Sequence, residues 1–128
     1  MRRYDHIDLR VPSLAEARPF YEAVLPAIGF TRVVDIAGWL QFEAAESHGP
    51  SEFFGITEDR LHQSNASRVA FWAESPAEVD RLAEVVRRAG ARNIEGPSDQ
   101  EGPGYYAVFF EDPSGNRLEI CHRDEGAE

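Results

Sequence analysis

The sequence carries one pattern twice, and that repeat constrains the fold more than any other feature. Alternation over Asp5–Val11 puts Ile7, Leu9 and Val11 on one side of a strand and His6, Asp8 and Arg10 on the other. Offset by 62 residues, His6 falls on Arg68, Ser13 on Ser75 and Glu16 on Glu78. Ser67–Ala73 alternates in the same way, separating Val69, Phe71 and Ala73 from Arg68, Ala70 and Trp72. Each strand is followed by a capping box, Ser13-Leu14-Ala15-Glu16 and Ser75-Pro76-Ala77-Glu78, and then by a stripe of apolar residues at helical spacing. Pro26 is expected to end or kink the first helix, with Gly29 releasing the chain; Gly90 is the expected end of the second.

Three strands should complete each half. The candidates are Thr31–Ile36, Trp39–Glu43 and Glu52–Thr57 in the first, and Arg92–Glu95, Tyr105–Glu111 and Arg117–His122 in the second. Asp112-Pro113-Ser114-Gly115-Asn116 supplies tight-turn chemistry between the last two. The predicted fold is α+β, two tandem βαβββ modules at about 4–57 and 67–122 within one domain, 1–128. Two curved sheets side by side would make a half-barrel cleft, with segments 46–51, 58–66 and 96–104 as loops over it. Alternation across Glu52–Thr57 is read with Glu52 and Phe54 toward the cleft and Phe53 and Thr57 toward the helix.

Charge and composition narrow the partners. The net charge is −10, so a nucleic-acid backbone or an anionic membrane would be repelled. All 13 basic residues are Arg, which excludes Schiff-base chemistry and the Lys-dependent phosphate loop. Cys121 is the single cysteine, so no disulfide framework or thiolate zinc cluster is available, and its apolar neighbours suggest a packed thiol. No apolar run has the length of a membrane span or of a signal peptide, and the expected location is cytoplasmic.

His6-Ile7-Asp8-Leu9, Phe20-Tyr21-Glu22-Ala23-Val24-Leu25 and, above all, Phe109-Phe110-Glu111-Asp112-Pro113-Ser114-Gly115-Asn116-Arg117-Leu118-Glu119-Ile120 resemble the motifs of the vicinal oxygen chelate superfamily. That superfamily holds glyoxalases, bleomycin-resistance proteins and extradiol dioxygenases. The resemblance runs from about Tyr4 to His122. It implies a cleft where enzymes of the family hold a divalent metal (Zn, Ni, Mn or Fe) on ligands from the first and last strands of each module. It also implies a homodimer.

His6 and Glu119 are the candidate ligands, and both residue types bind divalent ions. The third family position is Arg68, whose guanidinium stays protonated and offers no lone pair. Setting Glu52–Gly55 against Arg117–Ile120 puts Phe54 on Glu119, at an offset of 65, and leaves Glu52 as a doubtful fourth ligand on the same strand face. His122 should point to the helix side, and His48 and His62 fall in loops.

The leading functional reading is a protein that binds a small organic ligand in the sheet cleft without a full metal site. Trp39, Phe54, Arg68, Trp72 and Tyr106 would line that cleft, and Arg68 would anchor a ligand anion. The alternative is a divalent-metal-dependent lyase, isomerase or dioxygenase acting on vicinal oxygens, with Glu119 or Glu52 moving protons. A metal-free catalyst using Arg68, Glu119 and His6 is a third reading. By the repeat, Arg68 should also balance the Glu119 carboxylate.

Overall fold

The computed structural model describes residues 3–45 and 50–124. His48 and most of the predicted loop 46–51 therefore lie outside the described residues. The chain divides into two compact units, Met1–Gln63 and Ser64–Glu128.

In the first unit the elements are β1 (His6–Val11), α1 (Leu14–Ile28), β2 (Arg32–Ile36), β3 (Trp39–Glu43) and β4 (Phe53–Glu58). The sheet order is β1-β4-β3-β2, with β1 parallel to β4 and the other neighbours antiparallel. Ser13 caps α1 by accepting from the Glu16 amide at 3.2 Å, which is half of the capping box that the sequence suggests. The helix runs through Pro26 to Ile28, because a proline in the last turn removes only one late hydrogen bond. It stops at Gly29, whose φ of +134° a side chain would resist, and Phe30 N–H closes back on the Leu25 carbonyl at 2.9 Å.

The second unit repeats this order as β5 (Arg68–Trp72), α2 (Pro76–Arg88), β6 (Arg92–Ser98), β7 (Tyr105–Glu111) and β8 (Arg117–Arg123), with the sheet order β5-β8-β7-β6. Ser75 caps α2 through the Glu78 amide at 3.1 Å, and Pro76 takes the first helical position. Strand β6 is three residues longer than the sequence suggests. Gly96 and Pro97 read as punctuation, but β6 is an edge strand with register shifts, where a proline's missing donor costs no ladder bond. A Cβ on Gly96 would stand 2.8 Å from the Ala107 carbonyl oxygen, so glycine is what lets β6 approach β7 there.

Each unit packs one sheet face against its helix. In the first, Val11, Leu40, Phe42, Phe54 and Ile56 bury against Phe20, Tyr21, Val24 and Leu25. In the second, Phe71, Val108, Phe110, Leu118 and Ile120 bury on the side of Val79, Leu82, Ala83 and Val86. The opposite face of each sheet is called its open face below.

The register corrects the reading of β4. His6 pairs with Phe53 and Ile7 with Phe54, so Phe53 shares the open face with His6, and Phe54 enters the core. Phe54 is 1% exposed and stacks toward Tyr21 at 6.3 Å. Thr57 also belongs to the open face, where its hydroxyl donates to Asp8 Oδ1 at 2.7 Å. Glu52 precedes the strand with the parity of Phe54, and this removes it from the candidate ligands. The cause is the offset. Arg68 pairs with Arg117 as His6 pairs with Phe53, so β4 and β8 correspond at 64 residues and Gly55, not Phe54, is the counterpart of Glu119.

Candidate functional site

The richest chemistry lies on the open face of the second sheet. Cα partners place Arg68, Ala70 and Trp72 of β5 beside Arg117, Glu119 and Cys121 of β8, and these beside Glu111, Phe109 and Ala107 of β7. Tyr105 and Arg123 continue the same face. At its centre Glu119 is only 5% exposed, between Leu118 and Ile120 on the helix side. A carboxylate buried to that degree needs donors. Tyr105 supplies one: its hydroxyl donates a hydrogen bond to Glu119 Oε2.

This overturns the expected pairing of Arg68 with Glu119. Ala70 stands directly across from Glu119, and the Arg68 guanidinium carbon lies 4.9 Å from the Phe109 ring centroid. Arg68 forms no ion pair with a described carboxylate, and its guanidinium lies over the Phe109 ring instead.

The Tyr105–Glu119 pair shapes the titration of its neighbours. The hydrogen bond to Glu119 pushes the Tyr105 phenol well above its usual value of 10.0, with burial and the carboxylate charge adding to the effect. Burial, and then the charge of Glu119, raise the Cys121 thiol, which favours the packed thiol over a nucleophile. A phenol whose folded pKa lies above its unfolded one stabilises the fold fully below pH 10.0, and this contribution is lost as pH rises toward the folded value. Stability should therefore fall with pH above about 10, and Tyr105→Phe should lose part of that slope. Urea unfolding at a series of pH values between 8 and 11 checks it. An unchanged alkaline slope in the variant counts against the pair.

Ala70, Trp72, Tyr105, Cys121 and Arg123 line a cavity of about 350 Å³ on this face. Trp72 is 49% exposed, an unusual state for so large an apolar ring. Tyr106 points the other way, to the helix side. Its hydroxyl donates to Asp80 of α2 at 2.6 Å, and it lines a second cavity of about 260 Å³ with Pro76, Asp99, His122 and Tyr105, which borders both. His122 Nδ1 donates to the Ala73 carbonyl at 2.9 Å on that same side.

In the first unit His6 is exposed, hydrogen-bonded through Nδ1 to Asp5 at 2.7 Å and stacked on Phe53 at 4.4 Å. Trp39 shares this open face and packs over Gly55, its Cζ2 lying 3.5 Å from where a Cβ would stand. Its indole N–H is buried with no hydrogen-bond partner among the described residues.

The donor set does not fit a metal centre. His6 faces Gly55's strand with no carboxylate at the position matching Glu119, and Glu119 faces a strand whose matching position is Arg68. Each unit thus keeps one donor of a pair, and Glu119 is already engaged by Tyr105. Among the described residues no three His, Cys, Asp or Glu side chains are grouped to hold an ion. A catalytic zinc site uses three protein ligands.

Comparison with known proteins agrees with this architecture. The sequence profile of the Glyoxalase/Bleomycin resistance protein/Dioxygenase superfamily matches residues 3–120. The chain belongs to that superfamily. No curated protein matches the sequence. Among solved structures, a glyoxalase/bleomycin resistance protein from Albidiferax ferrireducens T118 is 25% identical with a TM-score of 0.76, covering 94% of this chain and 98% of the other. The fosfomycin resistance protein FosX from Listeria monocytogenes shares the fold at 18% identity, TM-score 0.72, covering 99% of this chain and 98% of its own. FosX from Mesorhizobium loti does so at 20% identity, TM-score 0.70, covering 98% and 96%. No helix among the described residues of this superfamily member is long and apolar enough to cross a membrane.

Proposed function

We propose that this superfamily member binds a small organic ligand on the open face of its second sheet, without a complete metal site. The observation that carries the reading is the cavity of about 350 Å³ lined from three strands by Ala70, Trp72, Tyr105, Cys121 and Arg123, beside the buried Glu119 carboxylate. Its parts suit recognition. Trp72 offers an exposed ring for stacking, Ala70 leaves depth beneath it, Arg123 offers charge at the rim, and the Tyr105–Glu119 pair gives a fixed polar floor. Arg68, over the Phe109 ring, stands farther along the same face. The donor set favours a binder over a metal-dependent lyase, isomerase or dioxygenase, because Arg68 and Gly55 stand where ligands would be needed. The homodimer expected from the sequence belongs to the same proposal, supported by β1 and β5 each lying at an edge of its sheet.

A panel of small aromatic and heteroaromatic compounds, followed by intrinsic fluorescence and calorimetry, tests the reading. Ligands should bind with chelator present, and Trp72→Ala should weaken them about tenfold, the loss of one stacking contact of about 1.4 kcal/mol. Binding that is unchanged in Trp72→Ala, or that appears only after a divalent ion is added, contradicts it.

A further inference from the structure

At the turn end of the second sheet one row of residues crosses all four strands: Arg68, Arg117, Glu111 and Arg92. Three of the four are guanidinium groups, in a chain with a net charge of −10. Neighbouring strands lie about 4.8 Å apart, so like charges at partnered positions repel. The local carboxylates do not relieve this. Glu111 Oε1 accepts from Asn93 at 2.9 Å, Glu119 is taken by Tyr105, and Asp112 is buried in the turn, where it accepts from Ser114, Asn116 and the Asn116 amide. Glu95, opposite Phe109, forms no ion pair among the described residues. Arg92 is spent on the Pro113 carbonyl at 3.1 Å. Arg68 and Arg117 remain, both exposed and neither ion-paired with a described carboxylate. Arg10, Arg18, Arg32, Arg81, Arg87 and Arg88, by contrast, all hold carboxylates.

We infer that Arg68 and Arg117 form an oxyanion subsite at the turn end of this open face, which takes the phosphate-type or carboxylate group of a bound ligand. The inference extends the reading above, that this face takes a ligand, by naming the charge the ligand carries. The Arg68 guanidinium lies over the Phe109 ring, and the strand register sets Arg117 beside Arg68 on the same face, so two planar donor forks stand within reach of one anion. The subsite lies four residues from Trp72 along β5, about 13 Å, so an elongated ligand could place its anion here and its apolar body over the tryptophan.

Calorimetric titration of the whole chain with inorganic phosphate, and separately with acetate, at matched ionic strength tests this. One anion should bind per chain, and Arg68→Gln and Arg117→Gln should each weaken it at least tenfold. Arg88→Gln, which removes the same charge from α2, should change it less than twofold. Preference for phosphate assigns a phosphate-type group, and preference for acetate a carboxylate. Circular dichroism melting shows whether each variant stays folded. If Arg117→Gln does not, Arg117→Lys replaces it and should still weaken binding, since the planar fork is lost. Failure of both anions to bind, or equal weakening by Arg88→Gln, overturns the inference. If phosphate binds while no aromatic compound reaches Trp72, only the earlier reading fails. If aromatic compounds bind and neither anion does, only this one fails.

Discussion

Replacing Phe54 by Ala should cost about 3–5 kcal/mol of unfolding free energy, while replacing Phe53 should cost about 1 kcal/mol. The two side chains are adjacent and chemically identical, so the contrast comes only from the face each occupies. Phe54 is buried against Tyr21 and Phe30, and truncation leaves a cavity that the helix cannot readily fill. Phe53 stands half-buried on the open face, where its main contact is the stacked ring of His6 and water can replace the lost volume. Urea unfolding with a common slope measures both. Equal losses, or a larger loss for Phe53, would mean that β4 sits one residue away from the register described here.

A second large effect is expected at the β7–β8 turn. Asp112 is 0% exposed and accepts from the Ser114 amide at 2.8 Å, the Asn116 amide at 2.9 Å and the Asn116 side chain at 2.9 Å. Asp112→Ala strands three donors, two of them on Asn116, itself 6% exposed. The expected loss is about 3 kcal/mol or more, since hydrogen bonds to a charged group are the strong ones and buried orphans add their own desolvation. Asp112→Asn keeps the shape and one acceptor oxygen, so it should lose about half as much. Chemical denaturation of the pair checks the order. The same turn sets where Arg117 enters β8, so Asp112→Ala should also disturb the anion subsite.

Much of this fold is legible in the sequence, for reasons that can be stated residue by residue. The repeat of strand, capping serine and apolar helical stripe points to two βαβββ modules, because Ser13 and Ser75 accept from the amides of Glu16 and Glu78 and so mark where each helix starts. Asp112 to Asn116 reads as a turn because aspartate and asparagine accept from amides two to four residues on. The face of β4 is not legible. Phe53 and Phe54 are both aromatic and Gly55 has no side chain, so alternation carries no sign there, and the unequal offsets of 62 and 64 between the modules hide the counterpart of Glu119.

The candidate site is legible only in part. Glu119 stands out as a carboxylate on an apolar strand, and Arg68 and Trp72 share its face. Its true partner, Tyr105, is missed because the pairing depends on antiparallel register across the hairpin. Counting back from the turn, which sets Glu111 on Arg117 and Phe109 on Glu119, would have put Tyr105 on the same face. Arg117 is missed for a different reason: a lone arginine at a strand start looks like an ordinary solvated end until the register sets it beside Arg68.

The most direct test of the account is an amide NMR titration of the chain, in chelator, with the tightest compound from the aromatic panel. Shifts should concentrate at Ala70, Trp72, Tyr105, Glu119 and Cys121, extending toward Arg68 and Arg117 when the compound carries an anion. Shifts confined to other strands, or no shifts until a divalent ion is added in excess of chelator, would contradict it.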